Sequence, residues 1–452
     1  MTKKTQGRDL TTGAIPRLVA VLSAPGAAEV ALYSVSGLVH AYWMGRVGGV
    51  ALAALSISMT LNFLFICPLI GVSTGVMAVV ARHIGAGEQE QADRATLQGI
   101  LFFLGVGLSL TALGQLGAPL FLRWMGATGE LHASAVSYAR LLIAGLVLAE
   151  LPFTTGAAMR GAGHPEFSFY TGLTYVLVSI LFETAWGLGL LPFGPLTLNG
   201  AGVAHLVGAA ACWGVLVYAL ASGRGGVRLR RRDLRPDRSY LSRMARIAGP
   251  TAVQRLSPSL ANALLMRLVA SFGTSMITAY ALVGRISFFV TSFGIGIANA
   301  AGAMVGQNLG AKKPDRAASA VRWAGILTVA ICVVLGGLLN MMPRPIVDLF
   351  SPTPEVMALA VKALLVSLLT TTTMSLYGVF SNALLAAGDA VAVMVISVAT
   401  LWGGQLCLAW LLSTPMGMGP IGVWLGVAGG CTISLVVFWI RWRQGIWREK
   451  TV

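Results

Sequence analysis

Charge is what this 452-residue chain has least of. Asp, Glu, Lys and Arg together make 11% of it, where a soluble protein of this size carries about a quarter. With 56% hydrophobic residues and a mean hydropathy of +0.78, the scarcity excludes an ordinary water-soluble fold and implies a polytopic membrane protein. Acids are scarcer still, 16 against 32 Lys and Arg, giving a net charge of +16. There are five cysteines (Cys67, Cys212, Cys332, Cys407, Cys431), all inside apolar stretches and none at metal-ligand spacing. They read as small core residues. No HExxH, GxSxG or phosphate loop occurs. The GAG triplets at Gly85–Gly87 and Gly161–Gly163 follow no strand and are turn glycines. The expectation is therefore no enzyme, no catalytic residue, no metal and no cofactor. No cleavable leader is expected either, because the first apolar stretch is long, contains Pro25 and lacks a small-residue cleavage site.

What is present is a repeat at an offset of 225 residues. VARHIGA at Val80–Ala86 returns as VGQNLGA at Val305–Ala311; Pro25 returns as Pro250, Gly48 as Gly273, Ala54 as Ala279, and Ala162-Gly163 as Ala387-Gly388. A DRA follows each motif, at Asp93–Ala95 and Asp315–Ala317. A constant offset across separated segments means two copies of one structural unit, and duplicated membrane halves are a common transporter plan.

Twelve apolar stretches have the roughly 20 residues needed to cross a bilayer: 17–44, 51–80, 95–118, 134–158, 168–190, 200–221, 247–271, 276–305, 318–341, 357–385, 390–412 and 420–440. An all-α fold follows, with two six-helix lobes entering the membrane the same way up about a pseudo-twofold axis along the membrane normal. The expected domains are 1–222 and 247–452, joined by a basic linker at 223–246 with nine arginines. All but eight of the Lys and Arg (Arg46, Arg123, Arg140, Arg255, Arg267, Arg285, Arg344, Lys362) fall on one side of this layout. That bias marks the cytoplasmic face, with both termini on it, and accounts for the charge better than nucleic-acid binding does. Prolines 25, 68, 250 and 258 inside spans invite kinks.

Ionisable residues inside spans are costly and so are functional candidates. The acids are Glu29, Glu150 and Glu183, joined by His40 and His205. Glu29, Tyr33, Ser36 and His40 form one polar stripe about 16 Å long on the first helix. Such a stripe lines a cavity or seals a helix seam. Tyr175, Ser179 and Glu183 make a shorter stripe on the fifth span. Counting residues from the outer loops places His40, Glu183 and His205 at one depth, where a carboxylate and two imidazoles could take up and release protons near neutral pH. The expected proton-coupling group is therefore His40, Glu183, His205 and Glu29, with Tyr33, Ser36, Tyr175 and Ser179 lining the cavity. At the offset, the second half carries Leu265, Gln254 and Leu408 for His40, Glu29 and Glu183. It offers Gln254, Arg255, Asn262 and Arg285 as cavity or substrate residues instead.

Several segments, namely Leu10-Thr-Thr-Gly-x-Ile-x-Arg17, YWMGRVGGVALAAL (42–55), VARHIGAG (80–87), RGAGHP (160–165), VGQNLGAKKPDRA (305–317) and AAGD (386–389), resemble the MATE family of multidrug and toxic compound extrusion transporters across nearly the whole chain. The resemblance implies a twelve-helix, two-lobe, V-shaped antiporter that expels organic compounds, commonly cations, in exchange for protons or sodium ions. Five positions depart from the family pattern. His40 stands where an Asp is common, Ser179 and Glu183 replace an Asn and an Asp, His205 takes the place of a Thr, and Gln254 that of an acid. The imidazole-rich set favours protons over sodium, a hard ion that prefers oxygen ligands.

The leading expectation is a proton-coupled exporter of small organic compounds in the cytoplasmic membrane, a monomer surrounded by lipid. The alternative within transport is a flippase or exporter of lipid-linked or anionic substrates, suggested by the second-half arginines. A membrane enzyme would need a loop crowded with His, Asp and Glu, but the loops hold Arg and Gly with scattered Glu88, Glu90, Asp233 and Asp237.

Overall fold

Apolar runs that satisfy their own backbone hydrogen bonds become helices, and the computed structural model is helical throughout the residues it describes: 8–229, 235–350 and 353–450. Lys3, Lys4 and the Arg230–Leu234 part of the linker lie outside them. The first half comprises α1 (Ile15–Val47), α2 (Gly49–Gly85), α3 (Gln89–Trp124), α4 (Gly129–Ala144), α5 (Leu146–Gly161), α6 (Pro165–Gly187) and α7 (Leu198–Ser222). The second comprises α8 (Arg238–Ala270), α9 (Thr274–Gly310), α10 (Pro314–Met341), the short α11 (Pro343–Asp348), α12 (Pro354–Ala387), α13 (Ala390–Ala399), α14 (Cys407–Ser413) and α15 (Pro420–Arg443). Ten helical stretches are long and apolar enough to span a membrane, and the bent pair α4–α5 is an eleventh candidate. The remaining long rod is α8, whose three leading arginines and inner Arg255, Asn262 and Arg267 keep it below the apolar threshold that the others pass.

Three local features differ from the sequence-based expectation. The stretch 134–158 is not one rod but breaks at Gly145 with a 45° bend. The break is packed against α7, where a Cβ on Gly145 would meet the Leu206 side chain. The stretch 390–412 contains a π-helical segment at Thr400–Leu406 between α13 and α14. Such wide turns insert a residue into the helix ladder, and Gln405 bulges toward Gly430 of α15, where a Cβ would meet its backbone at 2.4 Å. Cys407 is exposed, unlike the other four cysteines. Its sulfur turns back to the Trp402 carbonyl in the widened turn, at 3.3 Å, instead of entering the core.

The chain divides into two compact units that part just before α1, inside α1 and inside α8 rather than in the 223–246 segment. One contains Met1–Asp9 and Ala28–Ala252, the other Leu10–Ala27 and Val253–Val452. Each unit therefore includes the leading part of the other repeat's first long helix. Within the first unit, a Cβ on Gly71 of α2 would sit 2.4 Å from the Ala248 carbonyl of α8, and one on Gly75 would sit 2.8 Å from that of Met244. Within the second, a Cβ on Gly296 of α9 would lie 2.5 Å from the Ala27 nitrogen and 2.8 Å from the Ser23 carbonyl of α1. Gly71 and Gly296 are 225 residues apart, as are Ser23 and Ala248, so one contact is built twice. Small residues at such crossings let helix backbones meet where lipid offers no hydrophobic drive to hold them.

The second-copy motif has a local task. Gln307 accepts a hydrogen bond from the Leu10 nitrogen at 3.0 Å, and Asn308 donates to the Leu10 carbonyl at 3.3 Å. Lys313 and Arg316 donate to the backbone of Thr11, Thr12 and Gly13. The LTTG segment is thus fixed before α1 begins.

Gly296→Val is expected to lower the thermal unfolding midpoint in detergent markedly, since backbone on the far side cannot yield and overpacking costs about 1–3 kcal/mol or more. Gly284→Val on the same helix, where nothing lies within 4 Å, is the control and should leave the midpoint almost unchanged. Equal midpoints for the two variants would contradict the close approach.

Candidate functional site

The polar residues of the first unit gather into three groups rather than one. The first is centred on His40 of α1. Its Nδ1 lies 2.7 Å from Glu183 Oε1 of α6, and its Nε2 lies 2.9 Å from the Tyr138 hydroxyl of α4. All three side chains are buried. A carboxylate or imidazole in this setting is tolerable only when bonded, and both ring nitrogens are.

His205, expected beside Glu183, is placed differently. Its Nδ1 bonds to the Tyr175 hydroxyl, and the two rings meet edge to face with centroids 5.2 Å apart. Tyr175 lies two helical turns before Glu183 on α6. The displacement follows from how α7 seats on α6: Gly208 faces α6 so closely that a Cβ would meet the Ser179 hydroxyl and the Tyr175 carbonyl. That contact sets the register of α7, and loop counting could not anticipate it. Ser179 is buried there with its hydroxyl unpartnered. Tyr33 leans on Tyr175 with centroids 5.7 Å apart and is 37% exposed. Ser36 is half-buried. Glu150 is half-buried on α5, within electrostatic reach of Tyr33 and Tyr175.

The third group centres on Glu29. Ser168 of α6 donates its hydroxyl to the carboxylate, 3.0 Å from Oε2, and the Arg160 guanidinium of α5 lies 3.8 Å from the same oxygen. Arg160 also donates to Ser168 and rests over the Phe153 ring at 5.1 Å. The three polar side chains are all buried. Sequence reasoning missed Arg160, Ser168 and Tyr138. Arg160 stands in the RGAGHP segment, just past the expected span end, and so escaped the list of intramembrane charges. Tyr138 carries no charge to mark it.

In the second unit, Gln254 donates to Ser381 at 3.2 Å and Ser397 at 3.0 Å, while its Oε1 is buried without a partner. Trp402 of the π segment donates to Ser257 at 2.9 Å. Arg255, Asn262 and Arg285 are exposed. Among the described residues no group of three or more His, Cys, Asp or Glu is placed to hold a metal ion.

Long apolar rods enclosing bonded ionisable side chains define a polytopic, all-helical membrane protein. The MatE family model matches residues 25–184 and 250–411, one block in each repeat. The chain therefore belongs to the MatE family, whose members are membrane transporters and not enzymes. It is similar to the probable multidrug resistance protein YoeA of Bacillus subtilis, 25% identical over 93% of this chain and 92% of that one. It is also similar to the probable multidrug resistance protein NorM of Thermotoga maritima, 22% identical over 95% and 93%. A solved outward-facing conformation of a multidrug resistance MATE family transporter matches with a TM-score of 0.92 at 22% identity, covering 99% of this chain and all of the other. The fold is thus the twelve-span MATE arrangement.

Arg160→Met is expected to destabilise the protein by about 3–5 kcal/mol, because it strands the buried Glu29 carboxylate. Adding Glu29→Gln should recover most of the loss, read as the thermal midpoint of the two variants side by side. Additive destabilisation in the double variant would mean that the pair is not coupled.

Proposed function

We propose that this chain exports small organic compounds across the cytoplasmic membrane by alternating access, driven by protons that exchange at His40 and Glu183. The observation that carries the reading is the double bonding of His40. A neutral imidazole donates from Nδ1 to Glu183 and accepts at Nε2 from the Tyr138 hydroxyl. An imidazolium donates from both nitrogens, and the Tyr138 oxygen accepts once its own proton turns aside. A phenol is both donor and acceptor, so both ring nitrogens of His40 keep a partner in either protonation state.

Because α1 contributes His40 and Glu29 while α4, α5 and α6 contribute their partners, a change in charge alters the bonding of α1 to its neighbours. That is the leverage an antiporter needs for a coupling free energy. His205–Tyr175 and Tyr33 form the polar lining nearer Glu29. Proton rather than sodium coupling is supported by the donor set, since nitrogen and phenol stand where a hard cation would take carboxylate and carbonyl oxygens. The relatives' names as multidrug resistance proteins support organic substrates, and the one-sided basic charge supports cytoplasmic termini.

One observation favours a second reading, export of an anionic compound. Arg285 is exposed eleven residues into the 37-residue α9, with no hydrogen-bonded partner among the described residues to neutralise it.

Proteoliposomes decide among these. A proton gradient should drive efflux of a cationic dye and a sodium gradient should not. His40→Asn and Glu183→Gln should each reduce proton-driven efflux at least tenfold at equal incorporation. Tyr138→Phe should reduce it less and move its pH dependence. Undiminished efflux in both of the first two variants makes the cluster structural. Preferential efflux of an anionic dye, lost in Arg285→Gln, selects the second reading.

A further inference from the structure

On the outer side of the second unit, α10, α12 and α15 leave an apolar groove of about 820 Å³, within the range of formed ligand sites. It runs along α10 from Ala318 to Val334, about 24 Å at the helical rise. Val329, Val333 and Phe380 are among its walls, and Arg322 is the one charged residue in it. Arg322 is exposed and makes no hydrogen bond or ion pair with another described residue. At the end where α10 starts and α15 finishes, Ala318 and Trp442 also belong to a second cavity of about 510 Å³. That pouch is polar, lined by Arg443, Gln444, Arg448 and Glu449 as well as Trp447. The Arg443 guanidinium lies over the Trp439 ring of the groove at 4.9 Å. Arg448 is held to Asp315 at 3.2 Å, and Trp442 and Trp447 stack with centroids 4.0 Å apart.

The two cavities together have the shape and polarity of an amphiphile. We propose that they form a binding site for one anionic phospholipid, with an acyl chain along the α10 groove and the phosphate between Arg322 and Arg443. The length of the groove exceeds one leaflet of a hydrocarbon core about 30 Å thick, so a full chain fits. The indole pair sits where chain gives way to headgroup, the level at which Trp anchors in membranes. The charge at that level selects the headgroup. Among the described residues Arg322 has no counter-ion and Arg443 is engaged by the Trp439 ring, so both guanidiniums are available to phosphate. Glu449 lines the pouch and Asp315 is paired with Arg448, whereas Arg322 lines the groove. A second copy of this chain could also cover an apolar face, but it would leave the Arg322 charge buried against lipid-facing side chains.

Full-length protein, reconstituted with equal phosphatidylglycerol and phosphatidylcholine and then released into detergent for native mass spectrometry, should retain one phosphatidylglycerol in preference to phosphatidylcholine. Arg322→Gln should lower that preference at least fivefold. Ala330→Trp, on an exposed groove position, should lower retention of either lipid at least tenfold while leaving the thermal midpoint unchanged. Glycerol 1-phosphate at the same concentration should not displace the lipid. Equal retention of the two lipids, wild-type retention in both variants, displacement by glycerol phosphate, or a dimer mass in place of the lipid adduct would each overturn the site. These readouts are independent of transport and of the His40 cluster.

Discussion

A polar side chain inside an apolar helical bundle must find another polar side chain, because no water is there to take its bonds and an unmet group costs several kcal/mol. Much of the interior is organised around that requirement. His40 is held by Glu183 and Tyr138, Glu29 by Ser168 and Arg160, and His205 by Tyr175. In the second unit Gln254 reaches Ser381 and Ser397, and the buried Asp389 is held by Arg441 and Lys450. The bonds of His40, Glu29 and Gln254 join helices that are not neighbours in sequence, so these groups also help set which spans pack together. A change of charge in such a place would alter the bonding between helices.

The second constraint is close backbone approach. Glycines at 71, 75 and 296 admit the leading parts of α8 and α1 at distances that any side chain would forbid. The same crossing occurs twice at the repeat offset, so duplication copied a packing solution along with a sequence. It also explains why the compact units end inside α1 and α8. The helix that carries Glu29 and His40 belongs to one unit over that stretch and to the other before it.

The two repeats use this common frame for different ends. The first fills α6 with Tyr175, Ser179 and Glu183. The second has Thr400, Gly404 and Leu408 at the matching positions and widens there into a π segment. The buried imidazole–carboxylate and imidazole–phenol pairs lie in one copy, while the other presents exposed arginines and, along α10, an apolar groove with a basic mouth.

The sequence by itself determined the helical membrane class, the duplication, the family and most of the candidate residues. Those follow from composition, spacing and motif, which are properties of the chain alone. It marked Glu29, His40 and Glu183 because a charge within an apolar run is conspicuous. Tertiary structure alone decided their partners. Tyr138 and Ser168 look ordinary in their helices, and Arg160 lies past an expected span end, yet each is opposite a group that needs it. Depth counted from loops put His205 beside Glu183, but the Gly208 contact slides α7 until His205 meets Tyr175. The Gly145 break and the π turn likewise lie against neighbours, Leu206 and Gly430, that local pattern does not reveal. Register between packed helices is set by a few side-chain-sized gaps, and those exist only once both helices are in place.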